Sequence, residues 1–223
     1  MFQAPVQVIL ASQSPRRLAL LTDMGLPVTV VPADVDESVC HGEEPEVLAQ
    51  RLAMEKAEVV ARDAPDALVI AADTLVVLDG KILGKPHSAE DAMSMLMRLR
   101  NRRHTVYTGL VLLQPAQDRE CVQLSTTPVL MRNYSELEMR AYVNSGDPLD
   151  KAGAYAIQSE TFYPVQRLDG CYANVVGLPL CHLYRAMAVW DLAPPRHPLA
   201  RCPWALQNGG CSWAGPILQA RPR

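Results

Sequence analysis

The 223-residue chain is 49% hydrophobic and 20% charged, the balance of an ordinary globular protein with one compact domain or two small ones. Its formal net charge of −3 offers no bulk attraction to nucleic acid polymers or membranes, and no apolar run approaches the roughly 20 residues that cross a bilayer. The six cysteines lack CxxC pairs or metal spacing and no leader-like segment precedes them, so they read as free thiols in a reducing cytoplasm.

In chain order, strand and helix patterns alternate. Val6–Leu10 reads as a strand that runs into Ala-Ser-Gln-Ser-Pro-Arg-Arg at Ala11–Arg17. Ser14 suits an N-cap and Pro15 a first helical position. Leu18, Leu21 and Met24 then recur at helical spacing, which predicts a helix over Pro15–Met24. Val28–Val31 predicts a short strand, and Pro45–Arg62 carries the longest helical pattern. Ala67–Ala72 is an apolar, strand-like run that ends at Asp73; Leu75–Leu78 can extend it towards a turn at Asp79–Gly80. Ser88–Arg100 predicts a helix, and Thr105–Leu113 with Cys121–Met131 predicts two long antiparallel strands. Ser135 and Glu138 have capping-box spacing for a helix reaching about Asn144. Phe162–Leu168 and Cys171–Val176 predict a strand pair turning at Asp169–Gly170, and Pro179–Asp191 a last helix. From Pro194 the composition shifts to Pro, Arg, Cys and Trp, with four arginines and no acid. The expectation is a catalytic domain over residues 1–193 and a mobile tail over 194–223, whose removal leaves activity nearly unchanged. Docking of Trp204 and Trp213 on the body is the alternative.

Several side chains carry chemistry. A helix N-terminus bearing Arg16 and Arg17 joins exposed amides, a positive helix end and two guanidinium forks, which suits a polyanion such as a triphosphate. The bland reading is a surface helix with two solvated arginines. Asp73, at the end of a buried strand, stands where open α/β sheets place ligand sites, although an Asp there can also cap a turn. Glu37 follows the second strand in a polar loop with Asp36. Carboxylates near a triphosphate serve by holding Mg²⁺, and a solvated acidic loop is the other reading. Lys85 follows Gly84, a pairing that lets backbone approach an anion, while Lys56 lies inside the long helical pattern. Gln158 presents both donor and acceptor on one amide, as the imide edge of uracil or thymine requires; a polar turn is the alternative. His104 reads as structural rather than catalytic.

Five stretches occur together in one order: ASQSPRR at Ala11–Arg17, AADT at Ala71–Thr74, GKILGKP at Gly80–Pro86, DKAGAYAIQ at Asp150–Gln158 and NVVGLPL at Asn174–Leu180. Through them the chain resembles the Maf family of nucleoside triphosphate pyrophosphatases, over about residues 6–192. The resemblance implies Asp73 as proton acceptor and Glu37, with Asp73, as ligand of a divalent cation, Mg²⁺ or Mn²⁺. It implies Ser12, Arg16, Arg17, Lys56 and Lys85 as substrate-binding groups. Within the family, the trio Arg16, Thr74 and Gln158 resembles the subgroup acting on dTTP and UTP; the 7-methyl-GTP subgroup has Trp, Gln and Glu there. Ala71, Ala156 and Ser159 depart from the family pattern, each standing where Gly is usual.

The expected fold is α/β: a bent mixed sheet flanked by helices, with two lobes around a deep cleft, as in inosine triphosphatase-like proteins. The expected reaction converts dTTP and UTP, and modified pyrimidine nucleotides with them, to the monophosphate and pyrophosphate. Two alternatives stand beside it: a pyrophosphatase for non-standard purine or 7-methyl-GTP nucleotides, and a non-enzymatic nucleotide-binding regulator of cell division. The expected partner is the nucleotide, with neither a nucleic acid polymer nor a membrane, and with a homodimer left open.

Overall fold

A computed structural model describes residues 6–220. The first strand, β1 (Val8–Leu10), leads into α1 (Pro15–Asp23), where Ser14 Oγ accepts from the Arg17 amide and Pro15 opens the first turn. Next come β2 (Val28–Val30), α2 (Pro45–Asp63), β3 (Leu68–Leu78), β4 (Lys81–Leu83) and α3 (Ala89–Leu99). β5 (Arg103–Gln114) and β6 (Arg119–Met131) form the long antiparallel pair. α4 (Glu136–Asn144) starts at a complete capping box, with Ser135 and Glu138 bonding each other's backbone. β7 (Val165–Leu168), α5 (Tyr172–Val176), α6 (Leu180–Val189), α7 (Pro203–Gln207) and α8 (Ala214–Gln219) complete the chain. Among the described residues, no helix is long and apolar enough to cross a membrane.

The seven strands form one mixed sheet in the order β2-β1-β3-β5-β6-β7, with β4 paired to β3. β1 pairs in parallel with β2 and with β3; the other pairings are antiparallel. β3 organises the molecule. On one edge it pairs with β5 from Val69 to Val77. On the other edge β1 covers Leu68–Ile70 and β4 covers Val76–Leu78, so residues 71–75 have no strand beside them. The cleft opens at that gap.

Strand alternation then divides the core. Val69, Ala71, Leu75 and Val77 of β3 face α2, in clusters with Leu48, Leu52, Ala53 and Ala57. Leu68, Ile70 and Ala72 face α1 and α6, while Val76 and Leu78 face α3 and α4. The two clusters of that second face part at Thr74, which makes two lobes.

Three expectations differ from the structure. Ala67–Ala72 and Leu75–Leu78 are parts of one strand, so Asp73 lies in its middle rather than at its end. The local reading stopped at Asp73 because a carboxylate interrupts an apolar run; the pairing with β5 carries the strand through it. Cys171–Val176 is helical over Tyr172–Val176, despite Val175 and Val176, and closes at Gly177 in the left-handed region at φ 118°. Buried Asn174 anchors that turn, donating from Nδ2 to Val106 O at 3.1 Å and to Thr127 Oγ1 at 2.9 Å, so tertiary bonds override β-propensity. Finally, the stretch read as a mobile tail packs on the body over residues 194–220. Cys202, Ala205 and Ala214 are buried, and Trp204 stacks on Tyr172 with ring centroids 6.0 Å apart.

Candidate active site

One cleft of about 870 Å³ is lined by all nine side chains singled out from sequence, from Ser12 through Gln158. α1 delivers Arg16 and Arg17 at its N-terminal turn. β3 delivers Asp73 to the α2 side and Thr74 to the α1 side, because neighbouring strand residues point to opposite faces. α2 delivers Lys56, and the segment between β2 and α2 delivers Glu37.

Lys56 is buried, and its Nζ lies 2.6 Å from Glu37 Oε1 and 2.6 Å from Asp73 Oδ1. The two carboxylates therefore converge on one ammonium. Asp73 Oδ2 stays free of that contact. Burial alone would raise the Glu37 carboxyl, but the Lys56 bond and charge, with Lys85 and Arg17 behind them, hold it below its ordinary value of 4.5.

Arg17 is held by neutral acceptors. Its Nε donates to Gly177 O at 2.8 Å, Nη1 to Ser12 Oγ at 3.0 Å and Nη2 to Thr74 Oγ1 at 3.1 Å. Arg16 reaches across the cleft to Asp150 at 3.3 Å, and Lys151 also pairs with Asp150, at 2.5 Å. Among the described residues Arg17 and Lys85 make no ion pair. Gln158 is exposed at the cleft rim, on the turn after Tyr155. His104 stands behind the wall rather than in it: buried, with Nε2 2.8 Å from the Tyr155 hydroxyl.

Two groups that matter here escape a reading by residue type. Arg51, on α2, bonds Glu43 at 2.7 and 2.8 Å, Glu55 at 3.0 Å and Ser38 O at 2.9 Å, and so fastens the segment carrying Glu37 onto the helix. Only its i,i+4 spacing to Glu55 is visible in sequence. Thr108, on β5, is fully buried and 2.9 Å from Thr74 Oγ1, with nothing in the local sequence to mark it.

Five cations, Arg16, Arg17, Lys56, Lys85 and Lys151, thus line the cleft against three carboxylates, Glu37, Asp73 and Asp150. Among the described residues no group of three His, Cys, Asp or Glu side chains forms a metal cage. The donors that fit a hard divalent cation are the oxygens of Glu37 and Asp73, which converge within reach of one another and face the space an anion would fill. Such a cation is commonly held by one or two carboxylates together with substrate phosphates.

Curated relatives share most of the chain. A protein of Syntrophomonas wolfei subsp. wolfei is 46% identical over 179 residues, covering 80% of this chain and 95% of its own length. One from Desulfotalea psychrophila is 44% identical over 86% of this chain and 98% of its own, and one from Salinibacter ruber is 46% identical over 84% and 92%. All three are named dTTP/UTP pyrophosphatase. Among solved structures, a HAM1 protein from Coxiella burnetii matches with a TM-score of 0.47 at 15% identity, over 83% of this chain and 99% of that one. The five ordered stretches that meet at the cleft all fall inside residues 7–190, which match the family described as Maf-like protein, and the chain belongs to that family.

Proposed function

We propose that this chain hydrolyses dTTP and UTP to the nucleoside monophosphate and pyrophosphate, as the names of its relatives state for them. The observation that carries the reading is the charge of the cleft: five cations against three carboxylates, with Arg17 and Lys85 outside any ion pair among the described residues. A triphosphate supplies the missing negative charge. Gln158, at the rim, offers the donor and the acceptor that a pyrimidine imide edge needs.

The residues divide the work as follows. Asp73 Oδ2 takes the proton of the attacking water, while Oδ1 stays on Lys56 Nζ and keeps the carboxylate oriented. The water oxygen bonds to phosphorus as the bridge between the α and β phosphates breaks, and the bonding pair leaves on the pyrophosphate oxygen. Arg16, Arg17 and Lys85 neutralise the phosphate charge, Arg17 from a position fixed by three hydrogen bonds, and this electrostatic stabilisation is where most of the rate arises. Glu37 and Asp73 would hold Mg²⁺ or Mn²⁺, which when bound neutralises phosphoryl oxygens as a Lewis acid.

The test is release of pyrophosphate, resolved from orthophosphate, from dTTP, UTP, CTP, GTP, ITP and 7-methyl-GTP with Mg²⁺. The expected result is pyrophosphate release with the highest kcat/KM for dTTP and UTP. A higher value for a purine nucleotide moves the chain to purine chemistry. Tight binding with no turnover makes it a nucleotide-binding regulator.

A further inference from the structure

Thr74 lines the same cleft as the proposed base-reading group Gln158, yet its hydroxyl is already committed. Arg17 Nη2 lies 3.1 Å from Thr74 Oγ1, Thr74 Oγ1 lies 2.9 Å from Thr108 Oγ1, and Thr108 Oγ1 lies 3.2 Å from Asn174 O. The direction of each bond follows from chemistry. A guanidinium has no acceptor, so Thr74 accepts from Arg17. A carbonyl has no donor, so Thr108 gives its single proton to Asn174 O. Thr108 then has none left for Thr74, and the Thr74 hydroxyl must donate to Thr108. The relay runs one way: Arg17, Thr74, Thr108, Asn174.

The far end is anchored. Asn174 is fully buried and its amide donates to Val106 O and Thr127 Oγ1, while Thr127 also bonds the backbone of Cys171. Thr74 and Thr108 are directly opposed in the β3–β5 register, which brings the two hydroxyls together. The near end ties down three faces of one guanidinium, through Gly177 O, Ser12 Oγ and Thr74 Oγ1. Every one of those acceptors is neutral. Arg17 thus keeps its full charge and loses its freedom, the condition for a preorganised phosphate-binding fork.

We propose that Thr108, a residue outside the cleft, is a positioning residue for Arg17, acting through the Thr74 hydroxyl. The proposal rests on the reading of the cleft as a triphosphate site. Both hydroxyl protons of the relay are used, so Thr74 has no donor to offer a uracil or thymine ring.

Thr108→Val keeps the shape and removes the relay's middle hydroxyl. The probe is tripolyphosphate, whose binding is measured by calorimetry and needs no turnover. The expected result is roughly tenfold weaker tripolyphosphate binding, the size of one lost bond in a buried network. KM for dTTP and UTP rises with it, while the ratio of kcat/KM among dTTP, UTP, CTP and GTP stays constant. Thr108→Ser restores binding to within about threefold, since it returns the hydroxyl. In an Arg17→Lys background, Thr108→Ser and Thr108→Val bind tripolyphosphate equally, because the residue acts through the guanidinium; if valine folds poorly, Thr108→Ala, which also removes the hydroxyl, replaces it in both backgrounds with the same expected loss. Unchanged tripolyphosphate binding in Thr108→Val, or an altered base ratio, overturns the proposal. Wild-type protein that binds tripolyphosphate and responds to Thr108→Val, yet hydrolyses no nucleotide, leaves the relay standing and removes only the proposed reaction.

Discussion

Asp73 and Glu37 share one ammonium, and that arrangement decides what each can do. A carboxylate fixed through Oδ1 to a buried Lys56 is oriented, and its second oxygen is free for a water. Asp73→Asn keeps an acceptor for Lys56 but cannot take a proton. It should lower kcat for dTTP by roughly 10²-fold or more with little change in melting temperature. Near-normal turnover in the variant would remove Asp73 from the base role. His104 makes a different kind of prediction. Burial pushes its imidazole from 6.5 down to about 4, and half-buried His182 shifts the same way, helped by the charge of Arg185. The unfolded chain takes up a proton on each ring below about pH 6.5 and the folded chain does not, so this stability is present above pH 6.5 and is lost as pH falls towards 4. Denaturant midpoints should fall between pH 7 and pH 5, and His104→Gln, which can still bond the Tyr155 hydroxyl, should make that fall smaller. Equal falls in wild type and variant would mean that the ring titrates alike in both states.

Lys56 reaches Asp73 because α2 lies unusually close to the sheet. Gly109 on β5 is opposite Asp73, and a Cβ placed there would stand 2.1 Å from Ala49 O. Ala49 and Lys56 are two helical turns apart and share a face. A missing side chain on β5 therefore seats the helix whose later turn carries the ammonium. Gly109→Ala forces backbone against backbone, so α2 must shift. The expected cost is about 2 kcal/mol or more, a loss of roughly 4–8 °C in melting temperature for a chain of this size, together with a fall in kcat. Unaltered stability would show that the helix can slide without cost. The same scale explains what sequence could and could not supply. α1 and α4 are announced by local signals, Ser14 with Pro15 and Ser135 with Glu138, and those signals act where they stand. Of the nine cleft residues, Arg16, Arg17, Asp73 and Lys85 were legible because their local patterns place charge at a helix start, a strand and a Gly turn, whereas Ser12, Lys56 and Thr74 were marked only by the family resemblance. α5 was not, since Val175 and Val176 favour a strand and its helical turn depends on bonds from Asn174 to residues 47 and 68 positions away. Thr108 was not legible either: its role exists only in the register between β3 and β5.

At the scale of the whole molecule, two lobes meet at Thr74, and few side chains touch both. Ile157, Tyr172 and Trp204 pack against the core of each lobe. Ile157 also lines the cleft, Tyr172 begins α5, and Trp204 comes from the C-terminal stretch beyond the family match. That stretch is tied down in other places: Arg185 donates to Ile217 O at 3.1 Å, and the Arg196 amide to Met24 O at 3.2 Å. Its composition, rich in Pro and Arg, suggested a segment unable to bury enough apolar surface. Its few apolar residues instead complete the α1–α6 core, with Cys202 and Ala205 as members. Trp204 stacks on the helix whose end, Gly177, holds Arg17 Nε at 2.8 Å. Deleting residues 195–223 should therefore lower stability and weaken nucleotide binding, in contrast to a detachable tail. The milder variant Trp204→Ala should cost about 2 kcal/mol, roughly 4–8 °C, by leaving a cavity between the lobes. It should also raise KM for dTTP, because α5 loses its outer support, whereas Trp204→Phe should keep most of both. Melting curves and steady-state kinetics on the three variants decide the matter. If the truncated protein melts with wild-type cooperativity at the wild-type temperature and keeps its KM, the stretch is an ornament on the catalytic fold and not one of its braces.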